Sequence, residues 1–114
     1  MKTQSAKAKG RKLQQFVRDL ILETWTDLEP DDVRSTSMGA GGEDVQLSPA
    51  ARRHFPYSVE CKSVERLNVW AAYEQSEANC GDYEPILVMK KNRKKPLVVI
   101  DAEAFIELVK QSKD

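Results

Sequence analysis

A chain of 114 residues, 40% hydrophobic and 32% charged, has room for one core and so for a single domain over residues 1–114. No apolar run approaches the roughly 18 residues of a membrane span, and residues 1–12 lead into an amphipathic pattern instead of an apolar secretory core, so a cytoplasmic protein is expected. Eighteen basic residues against 18 acidic ones argue against a generic polyanion binder, and Cys61, Cys80 and the lone His54 fit neither a disulfide framework nor a zinc site.

In chain order, residues 1–6 are expected to form a flexible basic tail leading into a helix over 7–27. There Leu13, Phe16, Val17, Leu20, Ile21 and Trp25 follow the i, i+3, i+4 spacing, and Pro30 ends the pattern. A short strand is read over 33–37, a turn at Met38 to Gly42 with its glycines Gly39, Gly41 and Gly42, and a second strand over 43–47. Ser48 is predicted to cap a short helical turn that begins at Pro49 and runs to His54. A third strand over 57–62, a helix over 67–79 and strands over 86–90 and 96–100 follow, the last two joined by a basic turn. A final helix over 102–110 carries Phe105, Ile106 and Val109 on one face. The order is αβββαββα, an α/β fold with a small central mixed sheet flanked by helices.

Charge is polarised along this order. Lys2, Lys7, Lys9, Arg11 and Lys12 form one basic block and Lys90, Lys91, Arg93, Lys94 and Lys95 another. Between them Asp19, Glu23, Asp27, Glu29, Asp31, Asp32, Glu43 and Asp44 are nearly unopposed. Such a pattern suits a protein that holds a phosphate backbone and concentrates a divalent cation. Solvated surface explains either block alone about as well.

Charged side chains are disfavoured in strands, yet Asp44, Glu60 and Lys62 fall in two of them. Alternation sends Glu60 and Lys62 to one face and Val59 and Cys61 to the other. If the two strands are neighbours, Asp44 and Glu60 converge with Lys62 beside them. Two carboxylates so close repel unless a cation lies between them, and oxygen ligands point to Mg²⁺ or Mn²⁺.

With Asp44 in a strand and Glu60-Cys61-Lys62 in the next, the chain resembles the PD-(D/E)XK nucleases, whose restriction-endonuclease-like core has an αβββαβ order. The resemblance covers nearly the whole chain and is strongest with short phage nucleases and archaeal-type Holliday junction resolvases; a phage-encoded protein would act in the host cytoplasm. It departs from the family in two ways. Glu43, a rival ligand, stands where a proline precedes the first acid, and Gln14 or Gln15 stands where many members carry a helix glutamate, Glu23 lying too far along.

The resemblance implies a structure-directed DNA endonuclease. Asp44, Glu60 and the backbone carbonyl of Cys61 would hold Mg²⁺ or Mn²⁺, Lys62 would stabilise the charge developing on phosphate, and Gln75 would reach the water or Lys62. Ser35, Thr36 and Ser37 with Gly39 and Gly41 are candidates for phosphate contacts, although turn geometry explains them equally well. Arg52, Arg53 and the Lys91, Arg93, Lys94 and Lys95 turn are further DNA-binding candidates, and His54 is either structural or a phosphate contact. The partner that the resemblance implies is branched DNA, bound by a homodimer, with no membrane involved. The alternative is a nucleic-acid-binding module that keeps the nuclease fold with weak or no catalysis. A small-molecule enzyme is disfavoured because neither a nucleotide loop nor a nucleophile triad is present.

Overall fold

In the computed structural model, which describes residues 4–36 and 42–113, the apolar stripe at Leu13, Val17 and Ile21 is the buried side of helix α1, Gln4–Thr24. Residues 4–6 are therefore helical where the sequence reading expects a flexible tail. The stretch Gln4 to Lys9 holds no glycine or proline and two alanines, so the helix propagates through it at little cost. Phe16 and Leu20, which share the same periodicity, remain about half exposed at 45% and 51%.

A 3-10 turn at Pro30–Asp32 then feeds a five-stranded mixed sheet in the order β1-β2-β3-β4-β5, made of β1 Val33–Ser35, β2 Val45–Leu47, β3 Tyr57–Ser63, β4 Glu84–Lys90 and β5 Leu97–Val99. Neighbours pair antiparallel except β3 and β4, which run parallel with Glu60 opposite Leu87 and Ser63 opposite Lys90. A parallel pair needs a crossover, and helix α3, Val69–Ala78, supplies it. Between β2 and β3 stands a six-residue helix, α2, Pro49–His54, and the expected cap is present: the Ser48 hydroxyl accepts from Ala51 N–H at 3.1 Å. That hydroxyl also donates to Asp32 at 2.6 Å, tying α2 to the 3-10 turn.

The two faces of the sheet are covered by different helices. On one, Leu13, Val17 and Ile21 of α1 pack with Val33, Val45, Val59, Cys61, Ile86 and Val88 in a single core. On the other, Ala72 and Ser76 of α3 are buried, and Ser76 donates its hydroxyl to the Ile86 carbonyl at 3.1 Å, a close approach that small side chains allow. Asn68 is the N-cap of α3 and accepts from Ala71 N–H at 3.1 Å. The last helix, α4 Ala102–Ser112, starts at the Asp101 cap and has no buried residue. Phe105, Ile106 and Val109 are all exposed on it, as is Trp70 on α3. Among the described residues no helix is long and apolar enough to cross a membrane, and Cys61 and Cys80 are both free thiols.

Candidate active site

Three strands meet at Asp44. Its N–H donates to the Val59 carbonyl of β3 at 3.0 Å, and its own carbonyl accepts from the Thr36 N–H and hydroxyl beyond β1 at 3.0 and 3.2 Å. With its backbone so fixed just ahead of β2, the Asp44 carboxylate reaches β3 and accepts from Cys61 N–H at 2.7 Å. Gly42 enters this segment at φ 85°, a left-handed conformation that favours glycine.

Alternation along β3 behaves as the sequence predicts. Val59 and Cys61 join the α1 core, while Glu60 and Lys62 turn toward α3, Glu60 buried at 4% exposure. The Lys62 ammonium lies 3.7 Å from Glu60 Oε2, an ion pair slightly beyond hydrogen-bond length. Burial raises the Asp44 carboxyl above its ordinary range, against the opposing pull of the Cys61 N–H and the Lys62 charge. Burial also raises Glu60, and the negative charge of Asp44 raises it further, while Lys62 and a side-chain hydrogen bond with Asn79 act the other way. The Cys61 thiol, pushed up by burial and by both carboxylates, stays protonated and is no nucleophile.

Other predicted residues are placed differently. Glu43 is engaged by Arg52, whose Nη2 donates to both carboxylate oxygens at 2.6 and 2.8 Å. The same guanidinium donates to the Tyr57 carbonyl at 2.8 Å and lies 4.0 Å over the Tyr83 ring. Arg52 is thus committed to the fold instead of being free for phosphate, and Glu43 is drawn away from the Asp44 carboxylate. His54 is structural: it contacts Asp27 at 3.0 Å and stacks on Trp25 at 5.5 Å. Arg53 is exposed beside it. Gln14 is buried on α1. Ser35 is half-buried at the end of β1, and Ser37, Gly39 and Gly41 lie outside the described residues. Gln75 is exposed on α3; the side chain from that helix end that reaches Glu60 is Asn79, the C-cap residue. Sequence reasoning missed Asn79, although it lies four residues beyond Gln75 and so on the same side of the helix. Lys91, Arg93, Lys94 and Lys95 are exposed on the β4–β5 hairpin.

The oxygen donors suit a hard divalent ion. Among the described residues no group of three or more His, Cys, Asp or Glu side chains is placed to hold a metal. Asp44 and Glu60 supply two carboxylates. In an extended strand the N–H and carbonyl of one residue leave on the same side. Since Cys61 N–H points at Asp44, its carbonyl leaves toward Asp44 as well. Two carboxylates and a carbonyl match the few protein ligands that Mg²⁺ takes while keeping several waters. No family model, curated protein or solved structure matches the chain.

Proposed function

We propose that the protein is a metal-dependent DNA endonuclease of the PD-(D/E)XK type, with Asp44, Glu60 and Lys62 as its catalytic residues. The observation that carries this reading is the meeting of Asp44 with Glu60 and Lys62 across neighbouring strands, two partly or fully buried carboxylates beside one lysine. Buried like charges destabilise a fold, and a cation between them offsets that cost. The restriction-endonuclease-like arrangement belongs to the same proposal, supported by a mixed sheet with helices on both faces.

Asp44, Glu60 and the Cys61 carbonyl would hold Mg²⁺ or Mn²⁺, which when bound polarises the scissile phosphate and lowers the pKa of water. The Asp44 carboxylate is oriented by the Cys61 N–H, so one of its oxygens is occupied and the other is left for a ligand. Lys62 pairs with Glu60 at 3.7 Å, and Asn79, the C-cap of α3, lies beside it. Lys62, less buried than Glu60, presents a localised positive charge to phosphate oxygens as their negative charge grows. Exposed Arg93, Lys94 and Lys95 on the hairpin, with Lys91, contact the DNA backbone in this reading.

The active unit is a two-fold pair on branched DNA of the Holliday junction kind. One small domain carries one site, and symmetric cleavage of two strands needs two. The exposed apolar residues of α4, Phe105, Ile106 and Val109, favour a second copy as their cover. Sedimentation at micromolar concentration tests the pair, and a fully active monomer refutes it. One observation favours the alternative of a non-catalytic binding module: the buried polar side chain of α1 is Gln14, not an acid, which leaves two carboxylates for the cation. Plasmid nicking separates the two. The endonuclease nicks with Mg²⁺ or Mn²⁺ and stops in EDTA, while the module shifts DNA under both conditions and cuts under neither.

A further inference from the structure

The two basic blocks, from opposite ends of the chain, meet at one end of the sheet. Because β3 and β4 are parallel, they finish at the same edge, where Ser63 and Lys90 are register partners. The first half of α1 crosses this edge. There Lys9, Lys12 and Lys90 line a cavity of about 490 Å³ with Ser63 and Asn92, over an apolar floor that includes Leu13. No carboxylate is among its lining residues.

A second cavity, of about 410 Å³, opens beyond Lys90 and is lined by that lysine together with Lys91, Lys94 and Lys95. Glu65 also lines it, with its carboxylate accepting the Asn92 N–H at 2.7 Å. Lys90 belongs to both cavities, so the cations form one track from α1 across the strand ends to the hairpin.

Solvated surface lysines spread apart, because like charges repel. Here three line one concavity whose remaining polar side chains, a serine hydroxyl and an asparagine amide, are neutral donors. That combination complements a phosphate oxyanion. Ser63 is also the residue after Lys62, about 3.8 Å along the backbone, with the two side chains on opposite faces. A nucleic acid strand that reaches both Lys62 and the cavity therefore passes around the shared end of β3 and β4, where Ser63 and Lys90 are register partners.

We infer that the α1–β4 cavity is a phosphate subsite in which Lys9, Lys12 and Lys90 hold the backbone of a nucleic acid strand next to the Asp44, Glu60 and Lys62 site. The choice of a nucleic acid rests on the endonuclease reading; the affinity for phosphate does not.

The test uses the full chain in EDTA, where no cleavage occurs, and measures anisotropy of labelled duplex and four-way junction DNA between 50 and 300 mM salt. Removing a phosphate contact lowers the salt slope by about one unit. The Lys9→Gln/Lys12→Gln variant is expected to lose about two units of slope and more than tenfold in affinity at 100 mM salt on both DNAs, with an unchanged melting temperature. An unchanged slope in a folded variant overturns the inference. Nicking assays with Mg²⁺ keep the two proposals apart. A wild type that binds with this lysine dependence but never nicks loses the catalytic reading and keeps the subsite. A nicking wild type whose variant keeps the full slope loses the subsite and keeps catalysis. Inorganic phosphate at 10 mM is the third arm: if it raises the melting temperature through Lys9 and Lys12 while no DNA is bound, the ligand is a free phosphate and the nucleic acid assignment falls.

Discussion

Replacing Arg52 by alanine should unfold more than it unbinds. The Arg52 side chain is 11% exposed and that of Glu43 19%, with contacts of 2.6 and 2.8 Å between them. Deleting one partner of a pair this buried leaves the other charge uncompensated, at about 3–5 kcal/mol. The lost bond to the Tyr57 carbonyl and the lost stacking on Tyr83 are about 1 kcal/mol each and overlap with that figure. Against a domain stability of about 5–15 kcal/mol the loss is large. For a chain of 114 residues it corresponds to roughly 4 °C per kcal/mol, so the melting temperature should fall by about 12 °C or more. Arg52→Lys keeps the charge but loses the planar fork and should fall by about half as much. Glu43→Gln/Arg52→Met removes both charges and should recover most of the loss, which a double-mutant cycle in urea measures directly. Because Glu43 adjoins Asp44, nicking by any Arg52→Ala protein that remains folded should also decline. If Arg52→Ala instead melts within about 1 kcal/mol of wild type and loses DNA affinity, Arg52 is a phosphate ligand and the clamp argument is wrong.

Three further outcomes are expected. Asp44→Asn and Glu60→Gln should each abolish Mg²⁺-dependent nicking, and in EDTA at pH 7 each should raise the unfolding midpoint. Both carboxyls have folded pKa values above their ordinary 3.8 and 4.5, so the native state binds protons more tightly, and stability falls as pH rises through those raised values. The wild type should therefore gain on the Asp44→Asn/Glu60→Gln variant as pH drops from 7 toward the ordinary 3.8 and 4.5 in EDTA, and saturating Mg²⁺ should remove the difference; identical pH profiles in EDTA would refute the buried pair. Asp27 and Asp32, lowered by His54 and Ser48, titrate with the opposite sign but identically in both proteins. Asn79→Ala should lower turnover more than DNA affinity, and Gln75→Ala should change turnover less than Asn79→Ala; the reverse ranking in steady-state nicking would return Gln75 to the catalytic role. Arg93, held at φ 63°, occupies a left-handed position that costs a non-glycine residue about 1 kcal/mol, so Arg93→Gly should raise the thermal midpoint while weakening DNA binding, and a less stable variant with full affinity would mean the hairpin serves only the fold.

Much of this protein was legible before any contact was known. The helical stripe at Leu13, Val17 and Ile21, the Ser48 cap and the split of β3 into a core face and a polar face all follow from periods of 3.6 and 2 that the backbone imposes locally. The same alternation aimed Glu60 and Lys62 together. Pairing Asp44 with that face was a conditional inference, true only once β2 lies beside β3. What periodicity cannot encode is which distant residue a charge will meet. Glu43 reads as a rival metal ligand and Arg52 as a phosphate contact until the chain brings them to each other. Asn79 carries no mark in the sequence and is singled out only once the crossover helix ends beside Glu60. Phe16 and Leu20 fit the α1 stripe by spacing, yet are half exposed, because burial depends on what stands opposite. Lys12 and Lys90 read as separate basic blocks, and the parallel pairing of β3 and β4 under α1 makes them one cavity. Strand order and helix docking decide these meetings through the burial of apolar surface across the whole chain, and a charged side chain carries no local mark of whether its partner is water, phosphate or a carboxylate.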